Sequence, residues 1–159
     1  MFANPLTAML TGFVRDIGIE VRDANLPEPT FLPGLDIRFG ALLVDEERLL
    51  YPGDVLHEAG HIAVASPEER SRETLKPRGG DEIAAIAWSY AAARRLEIDP
   101  AIVFHEAGYR GSASAFISNF AAGRFVGTPL LQWYGMTFEP RLAQEQGVEP
   151  FPFMLKWLR

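Results

Sequence analysis

The spacing of apolar residues divides the first part of the chain into a helix followed by extended segments. Residues 5–17 place apolar side chains at the helical period, and Gly18 follows as a helix-ending residue. Residues 19–24 alternate apolar and polar positions, as a half-buried strand does. Three prolines in 25–34 indicate a loop, and 36–45 is predicted to be extended, either as one strand or as a hairpin. These patterns predict a small N-terminal sheet beside a helix.

The rest of the chain has the patterns of helices separated by short connections. A turn at 45–53 leads into a helix predicted at 55–65, for which Asp54 is the expected N-cap. The most apolar stretch of the sequence predicts a buried helix at about 81–96. The shorter predicted elements are a helical turn from Pro67 within a solvated connection at 66–80, a helix at 100–107 capped by Asp99, a helix at 112–122, one from Thr128, and an aromatic tail at 149–159 that packs on the body.

The composition is that of an ordinary globular protein. The 159 residues are 48% hydrophobic and 23% charged, enough for one domain over 1–159 with its own core. The net charge is −6 and there is no lysine- or arginine-rich block, so nucleic acid is not an expected partner. The absence of cysteine fits a reducing compartment. The start of the chain lacks the basic region of a secretory signal, and the apolar window at 83–93 is too short to span a bilayer. We therefore expect a cytoplasmic protein that does not associate with membranes.

All three histidines lie in two short stretches, VLHEAGHIA at 55–63 and VFHEAGYRG at 103–111. The shared HEAG has no similar surroundings and is treated as coincidence. In the first stretch, His57 and His61 are four residues apart, so both project from one face of the predicted helix and can bind one metal ion. Glu58 lies one step round the helix, where it can reach a water bound to that ion. The His-Glu-x-x-His spacing therefore predicts two zinc ligands and a general base.

The alternative interpretation of this stretch is a helix with two buried histidines and a chance glutamate. The metal interpretation is favoured because two of only three histidines have this spacing, on an apolar helix with a predicted cap. Gly60 costs about 1 kcal/mol of helix propensity relative to alanine. A cost of that kind is often tolerated where another group approaches the helix closely.

The stretch VLHEAGHIA resembles the active-site helix of the zincin metallopeptidases. The order of elements before it is similar to that of the ImmA/IrrE-type metallopeptidases, which run from an N-terminal helix through a short strand and an extended segment to the His-Glu-x-x-His helix. FVRDIGIEVRDANLP followed by ALLVDEERLLYPGDVLHEAGH has this order, and the likeness covers about residues 8–90. The resemblance implies an α+β, zincin-like fold with a mostly helical C-terminal portion, and zinc-dependent hydrolysis of a peptide bond.

The resemblance also implies a third metal ligand on the next long helix, where glutamate-type zincins have a glutamate. Glu82 takes that place, with twenty residues between it and His61. The residues support this independently, because an acidic group at the start of a buried helix needs a partner or solvent. Asp81 and Glu82 could instead complement the positive helix N-terminus, and Asp81 and His105 remain alternative ligands. Many glutamate zincins orient a histidine with an aspartate four residues later, but that position is Ile86 here.

The second HEAG stretch has Tyr109 four residues after its histidine, so it cannot form a second pair of imidazoles. Gly108 is expected to end the helix there. One interpretation is that His105 is exposed or hydrogen-bonded internally. Zincins often use a histidine or tyrosine from outside the zinc helices to stabilise the oxyanion, so His105 or Tyr109 could instead face the metal. Tyr90 and Arg110 are further candidates for that role.

The predicted function is zinc-dependent hydrolysis of a peptide or protein substrate. The resemblance to zincins implies that the extended segment near 37–44 could bind this substrate by strand addition. The assigned residues are His57, His61 and Glu82 as metal ligands, Glu58 as general base, and His105 and Tyr109 as candidate catalytic groups. The alternative is a non-proteolytic module that binds a metal or a protein partner.

Overall fold

The elements of the chain form a small N-terminal sheet and a mostly helical remainder, an α+β arrangement as predicted. The computed structural model describes residues 1–27 and 29–159, and Glu28 of the predicted loop at 25–34 lies outside the described residues. Within those ranges, no helix has both the length and the apolar character needed to cross a membrane. The helices are α1 Pro5–Asp16, α2 Asp54–Val64, α3 Pro67–Arg70, α4 Asp81–Arg95, α5 Glu106–Tyr109, α6 Ala113–Ala121, α7 Thr128–Trp133 and α8 Pro140–Gln146, with a 3-10 turn at Pro100–Ile102, and the strands are β1 Val21–Asp23, β2 Leu35–Arg38 and β3 Ala41–Val44.

The sheet has the strand order β1-β3-β2, so β2 lies at an edge. Strand β1 runs parallel to β3, and β2 runs antiparallel to it. Strands β2 and β3 are joined by Phe39 and Gly40, whose φ angles of 49° and 73° are both positive, as in the type I′ turns that match strand twist. Of the two predicted alternatives for 36–45, the hairpin is therefore confirmed.

Helices α2 and α4 pack against each other in the core, and their close approach depends on Gly60. A Cβ at Gly60 would lie 2.9 Å from the carbonyl oxygen of Ala85 on α4. The Ser89 hydroxyl of α4 donates to the carbonyl of Ala85 at 2.6 Å and approaches that of Leu56 on α2 at 3.3 Å. Gly60 was expected to lie where another group approaches closely, and that group is the backbone of α4.

The aromatic tail packs on the helices as predicted. Phe151 is buried in the core, and the indole N–H of Trp88 on α4 donates to the carbonyl of Trp157 at 3.0 Å. The tail also supports the end of α2, since the backbone N–H of Arg159 donates to the carbonyl of Ala63 at 2.9 Å. Carbonyls in the last turn of a helix lack intrahelical partners, so this bond stabilises the end of α2. Helix α8, which the sequence patterns did not predict, lies just before the tail.

Three sequence predictions about helix ends are wrong. Asp54 is the first residue of α2 rather than its N-cap, a position that Gly53 takes without any side-chain cap. The carboxylate of Asp54 instead bonds to His105. Residues 100–107 are not one helix, because the 3-10 turn ends at Ile102 and α5 begins only after His105, its N-cap. Gly108 accordingly lies inside α5 and does not end the preceding helix.

Candidate metal centre

Helices α2 and α4 bring two imidazoles and one carboxylate together. His57 and His61 project from the same face of α2, and their Nε2 atoms lie 3.2 Å apart. Glu82, in the first turn of α4, places one carboxylate oxygen 3.4 Å from Nε2 of His57 and the other 3.0 Å from Nε2 of His61. These three residues, here called the metal triad, have ligand atoms that all lie within 4.8 Å of one another.

The spacing within the metal triad fits a single small ion. Zinc–ligand bonds of about 2.0–2.1 Å at tetrahedral angles put neighbouring ligand atoms about 3.3 Å apart. The two Nε2 atoms lie 3.2 Å apart, and each has a different oxygen of Glu82 at 3.4 or 3.0 Å, so all of these separations are close to that value. Two imidazoles and one carboxylate suit zinc and other divalent transition metals alike. The triad could therefore hold a metal ion, whose identity the donor set leaves open.

The charges within the metal triad favour binding of a cation. Burial, with the adjacent His61, lowers the pKa of His57 to about 4, so this imidazole is neutral at pH 7 and has a lone pair to offer. The hydrogen bond from His61 lowers the pKa of the Glu82 carboxyl, which is therefore ionised. Burial opposes protonation of His61, but its bond to Glu82 and the nearby negative charges outweigh burial and raise its pKa. A bound metal ion would replace that proton.

Glu58 lies beside the metal triad and lines an open groove rather than a closed cavity. The groove has a volume of about 360 Å³, and Glu58, His61 and Glu82 lie together on its wall. Burial, with the charges of Asp54 and Glu82, raises the pKa of Glu58 to about 7, against the opposing effect of His61. The remaining lining residues come from the β2 region and the connection before α4, and are Phe31, Leu32, Leu35, Asp36, Ile37, Thr74, Leu75 and Pro77.

Of the two residues predicted as candidate catalytic groups, Tyr109 reaches a triad histidine directly. The hydroxyl of Tyr109 lies 3.0 Å from Nδ1 of His57, the ring nitrogen outside the triad. Burial raises the pKa of Tyr109 well above its usual range, so the hydroxyl keeps its proton. His105 is not among the triad residues; its Nε2 lies 2.6 Å from Asp54, and its ring stacks on Tyr51 with 4.0 Å between centroids.

The other candidates weighed from sequence are not part of the cluster that could hold a metal, and each has other contacts. The carboxylate of Asp81 accepts the N–H of Arg78 in the connection before α4. Tyr90 is buried and stacks on Phe120, with ring centroids 4.5 Å apart. Arg110 is the left-handed C-cap of α5. A role for any of these three in the groove stays a prediction without contacts to support it.

Two supporting residues were missed by the sequence analysis. Tyr51 had no sequence signal at all. Asp54 stands directly before the apolar run, and that position led to its prediction as a cap.

The two triad histidines differ in the hydrogen bonding of their second ring nitrogen. Nδ1 of His57 lies beside the hydroxyl of Tyr109, whereas Nδ1 of His61 is buried without a hydrogen-bond partner among the described residues.

No family model, no curated protein and no solved structure matches the chain. The likeness to zincins and to ImmA/IrrE-type metallopeptidases therefore rests on the residues themselves. What those residues establish is a cluster of two histidines and one glutamate that could hold a metal ion.

Proposed function

We propose that this chain is a zinc-dependent metallopeptidase of the zincin type. The observation that carries the proposal is the common groove, in which Glu58 lies beside His61 and Glu82 of the metal triad. A metal that only stabilised the fold would need no such arrangement, since structural zinc sites are closed by four protein ligands. Here two of the three triad residues, His61 and Glu82, lie on the wall of an open groove, so an ion held by the triad would be within reach of a molecule bound there.

The roles of the residues follow from their positions. His57, His61 and Glu82 bind the ion, which supplies Lewis-acid chemistry by activating a water molecule and polarising the substrate carbonyl. Glu58 accepts the proton of the attacking water and delivers it to the leaving amine. Consecutive helix residues point in different directions, so Glu58 faces the groove without competing with His57 for the ion.

The edge of β2 supports an extended peptide as substrate. The N–H of Asp45, just after β3, donates to the carbonyl of Gly34, just before β2. In an antiparallel pair such bonds recur at every second residue, so alternate residues of β2 direct their N–H and carbonyl groups towards β3. Leu35 and Ile37 are the residues between, and their N–H and carbonyl groups point away from β3, on the side that lines the groove. An extended peptide added there could donate its N–H groups to these two carbonyls.

The groove also supports a preference for apolar side chains. Its lining beside the edge strand is largely apolar, and burying one aliphatic or aromatic side chain there contributes about 1.5–3 kcal/mol. The proposed substrate is accordingly an extended peptide with an apolar residue near the bond that is cleaved.

The decisive experiment compares wild type with Glu58→Gln. Both proteins are stripped of metal, reloaded with zinc, and incubated with a diverse peptide library whose products are read by mass spectrometry. Glutamine has nearly the shape of glutamate but cannot take the proton, so we expect Glu58→Gln to keep one zinc per chain and to lose cleavage by at least 100-fold. Glu68→Gln, an exposed glutamate on α3, is the matched control and should cleave as wild type does.

Two outcomes would contradict the proposal. Cleavage by Glu58→Gln at the wild-type rate would remove Glu58 from the reaction. Zinc binding by the wild type without cleavage of any library member would favour a non-proteolytic metal-binding module.

A further inference from the structure

Behind the metal triad, a series of contacts links His57 to the second HEAG stretch. The Tyr109 hydroxyl lies 3.0 Å from Nδ1 of His57. Tyr109 ends α5, and His105, the N-cap of that helix, contacts Asp54 at the start of α2. We propose that Tyr109 is a positioning residue for the metal ligand His57, and that the Asp54–His105 contact holds Tyr109 in place. The inference rests on the proposed metal site but not on peptidase activity.

The tautomer of His57 explains why a hydroxyl is needed at this point. Nε2 of His57 is the nitrogen that meets Glu82 in the metal triad. A neutral imidazole that binds a metal through Nε2 has its proton on Nδ1, and that N–H needs an acceptor that also sets the ring orientation. The oxygen of Tyr109 is at hydrogen-bonding distance and accepts it. Among the described residues, Nδ1 of His61 has no hydrogen-bond partner, so His57 is the triad histidine to which this kind of support applies.

The two hydrogen bonds of His105 assign its ring nitrogens different roles. Its Nδ1 lies 3.1 Å from the backbone nitrogen of Gly108 and accepts that N–H. Its Nε2 is therefore the donor, and it donates to the Asp54 carboxylate at 2.6 Å. Both side chains are largely buried, with 14% and 6% of their surfaces exposed. A charge-assisted hydrogen bond of this kind is among the stronger ones in a protein.

Helix α5 needs such an attachment because it is only four residues long, Glu106–Tyr109. Helices of that length have no stability of their own in water. The contact joins His105, the N-cap of α5, to Asp54, the first residue of α2. The N-termini of the two helices are therefore held together. Tyr109, one turn further on, is thereby kept over His57, which lies one turn into α2.

The test uses zinc affinity and the spectrum of His57, neither of which requires turnover. Tyr109→Phe removes only the hydroxyl. We expect its zinc affinity, from competitive chelator titration, to fall about tenfold, the lower end of what loss of a ligand-supporting hydrogen bond costs. In nitrogen-15 NMR of the zinc-loaded protein, the Nδ1–H signal of His57 should be protected from exchange in wild type and lost in the variant. Tyr134→Phe removes the hydroxyl of a tyrosine whose ring contacts the Arg159 guanidinium, and this matched control should change neither quantity.

A double-mutant cycle tests the Asp54–His105 contact. If His105 acts through Tyr109, His105→Ala lowers zinc affinity several-fold in the wild-type background but causes no further loss in Tyr109→Phe. Fully additive losses would overturn that part of the inference. Wild-type affinity together with a protected Nδ1–H in Tyr109→Phe would overturn the role of Tyr109. Failure of the wild type to bind zinc would instead remove the metal site itself, and zinc binding without peptide cleavage leaves this inference standing.

Discussion

At the scale of single residues, neighbours in the sequence have different tasks because the helix separates them in direction. His57 and Glu58 are adjacent, yet the first belongs to the metal triad and the second faces the groove. On α4, Asp81 and Glu82 are adjacent acids in the same first turn, but only Glu82 reaches the histidines. The carboxylate of Asp81 turns back to the N–H of Arg78. This pair offers a test in which the charge removed is the same and only the position differs.

Glu82→Ala should weaken zinc binding by tenfold or more, at least about 1.4 kcal/mol, because it removes one of three ligands. Asp81→Ala removes the same charge one residue away and should leave the affinity within about twofold, a difference of roughly 0.4 kcal/mol. Competitive chelator titration of both variants beside wild type measures the difference. Equal losses in the two variants would mean that the carboxylates act only through general electrostatics. Retention of zinc by Glu82→Ala would remove Glu82 from the site.

At the scale of elements, the metal site depends on how closely α2 approaches α4. The histidines belong to one helix and the glutamate to the other, so any change in their separation opens the metal triad. Gly60 faces the backbone of Ala85, three residues beyond Glu82 on the same helix. We therefore expect a change in the separation of the helices at this contact to shift the position of Glu82.

Gly60→Ala should lower the free energy of unfolding by up to about 2 kcal/mol and weaken zinc binding. The added Cβ would lie 2.9 Å from the carbonyl oxygen of Ala85, so the helices must separate. Overpacking of this kind costs about 1–3 kcal/mol, which outweighs the gain of up to about 1 kcal/mol in helix propensity. Urea unfolding of the zinc-free protein and chelator titration measure the two effects.

Gly12→Ala is the control for this substitution, because Gly12 also lies within a helix but has nothing within 4 Å of an added Cβ. There the propensity gain should dominate and raise the stability by up to about 1 kcal/mol. Equal stabilisation by Gly60→Ala and Gly12→Ala would contradict the inference that close packing of α2 on α4 requires a glycine at position 60.

At the scale of the whole molecule, the metal triad joins parts of the chain that are far apart in sequence. Helix α2 follows directly from the sheet region, α4 belongs to the helical remainder, and α5 supplies Tyr109 from beyond both. A metal ion bound at this junction binds the folded state and has no comparable site in the unfolded chain. Binding free energy therefore adds to folding free energy.

Zinc should accordingly raise the melting temperature of the protein. At a free zinc concentration about 100 times the Kd, mass action adds about 2.7 kcal/mol. For a chain of this length, that corresponds to a rise of about 5–10 °C in Tm. Thermal unfolding followed by circular dichroism, with and without zinc, measures the shift. The His57→Ala/His61→Ala variant should show no rise, and an equal rise in that variant would place the metal elsewhere.

Features with a local cause could be predicted from the sequence. The spacing of His57 and His61 in a helix puts them on one face whatever surrounds them, and the apolar pattern predicted α2 and α4. The role of Asp99 as an N-cap was likewise predicted. Its carboxylate accepts the backbone N–H of Ala101, only two residues further along the chain. Glu82 was assigned through the resemblance to zincins, and the structure places it with the two histidines.

Features that depend on distant residues were decided by the tertiary structure alone. Tyr109 meets His57 across 52 residues, and His105 meets Asp54 across 51. From sequence, Asp54 has the signal of a cap, yet its carboxylate is taken by His105, because a buried hydrogen bond in the folded protein outweighs a local preference. The helical spacing of α2 determined which side chains could hold a metal. The packing of α4 and α5 against α2 decided which carboxylate joins the two histidines and which hydroxyl lies beside His57, since those contacts exist only once the helices are in place.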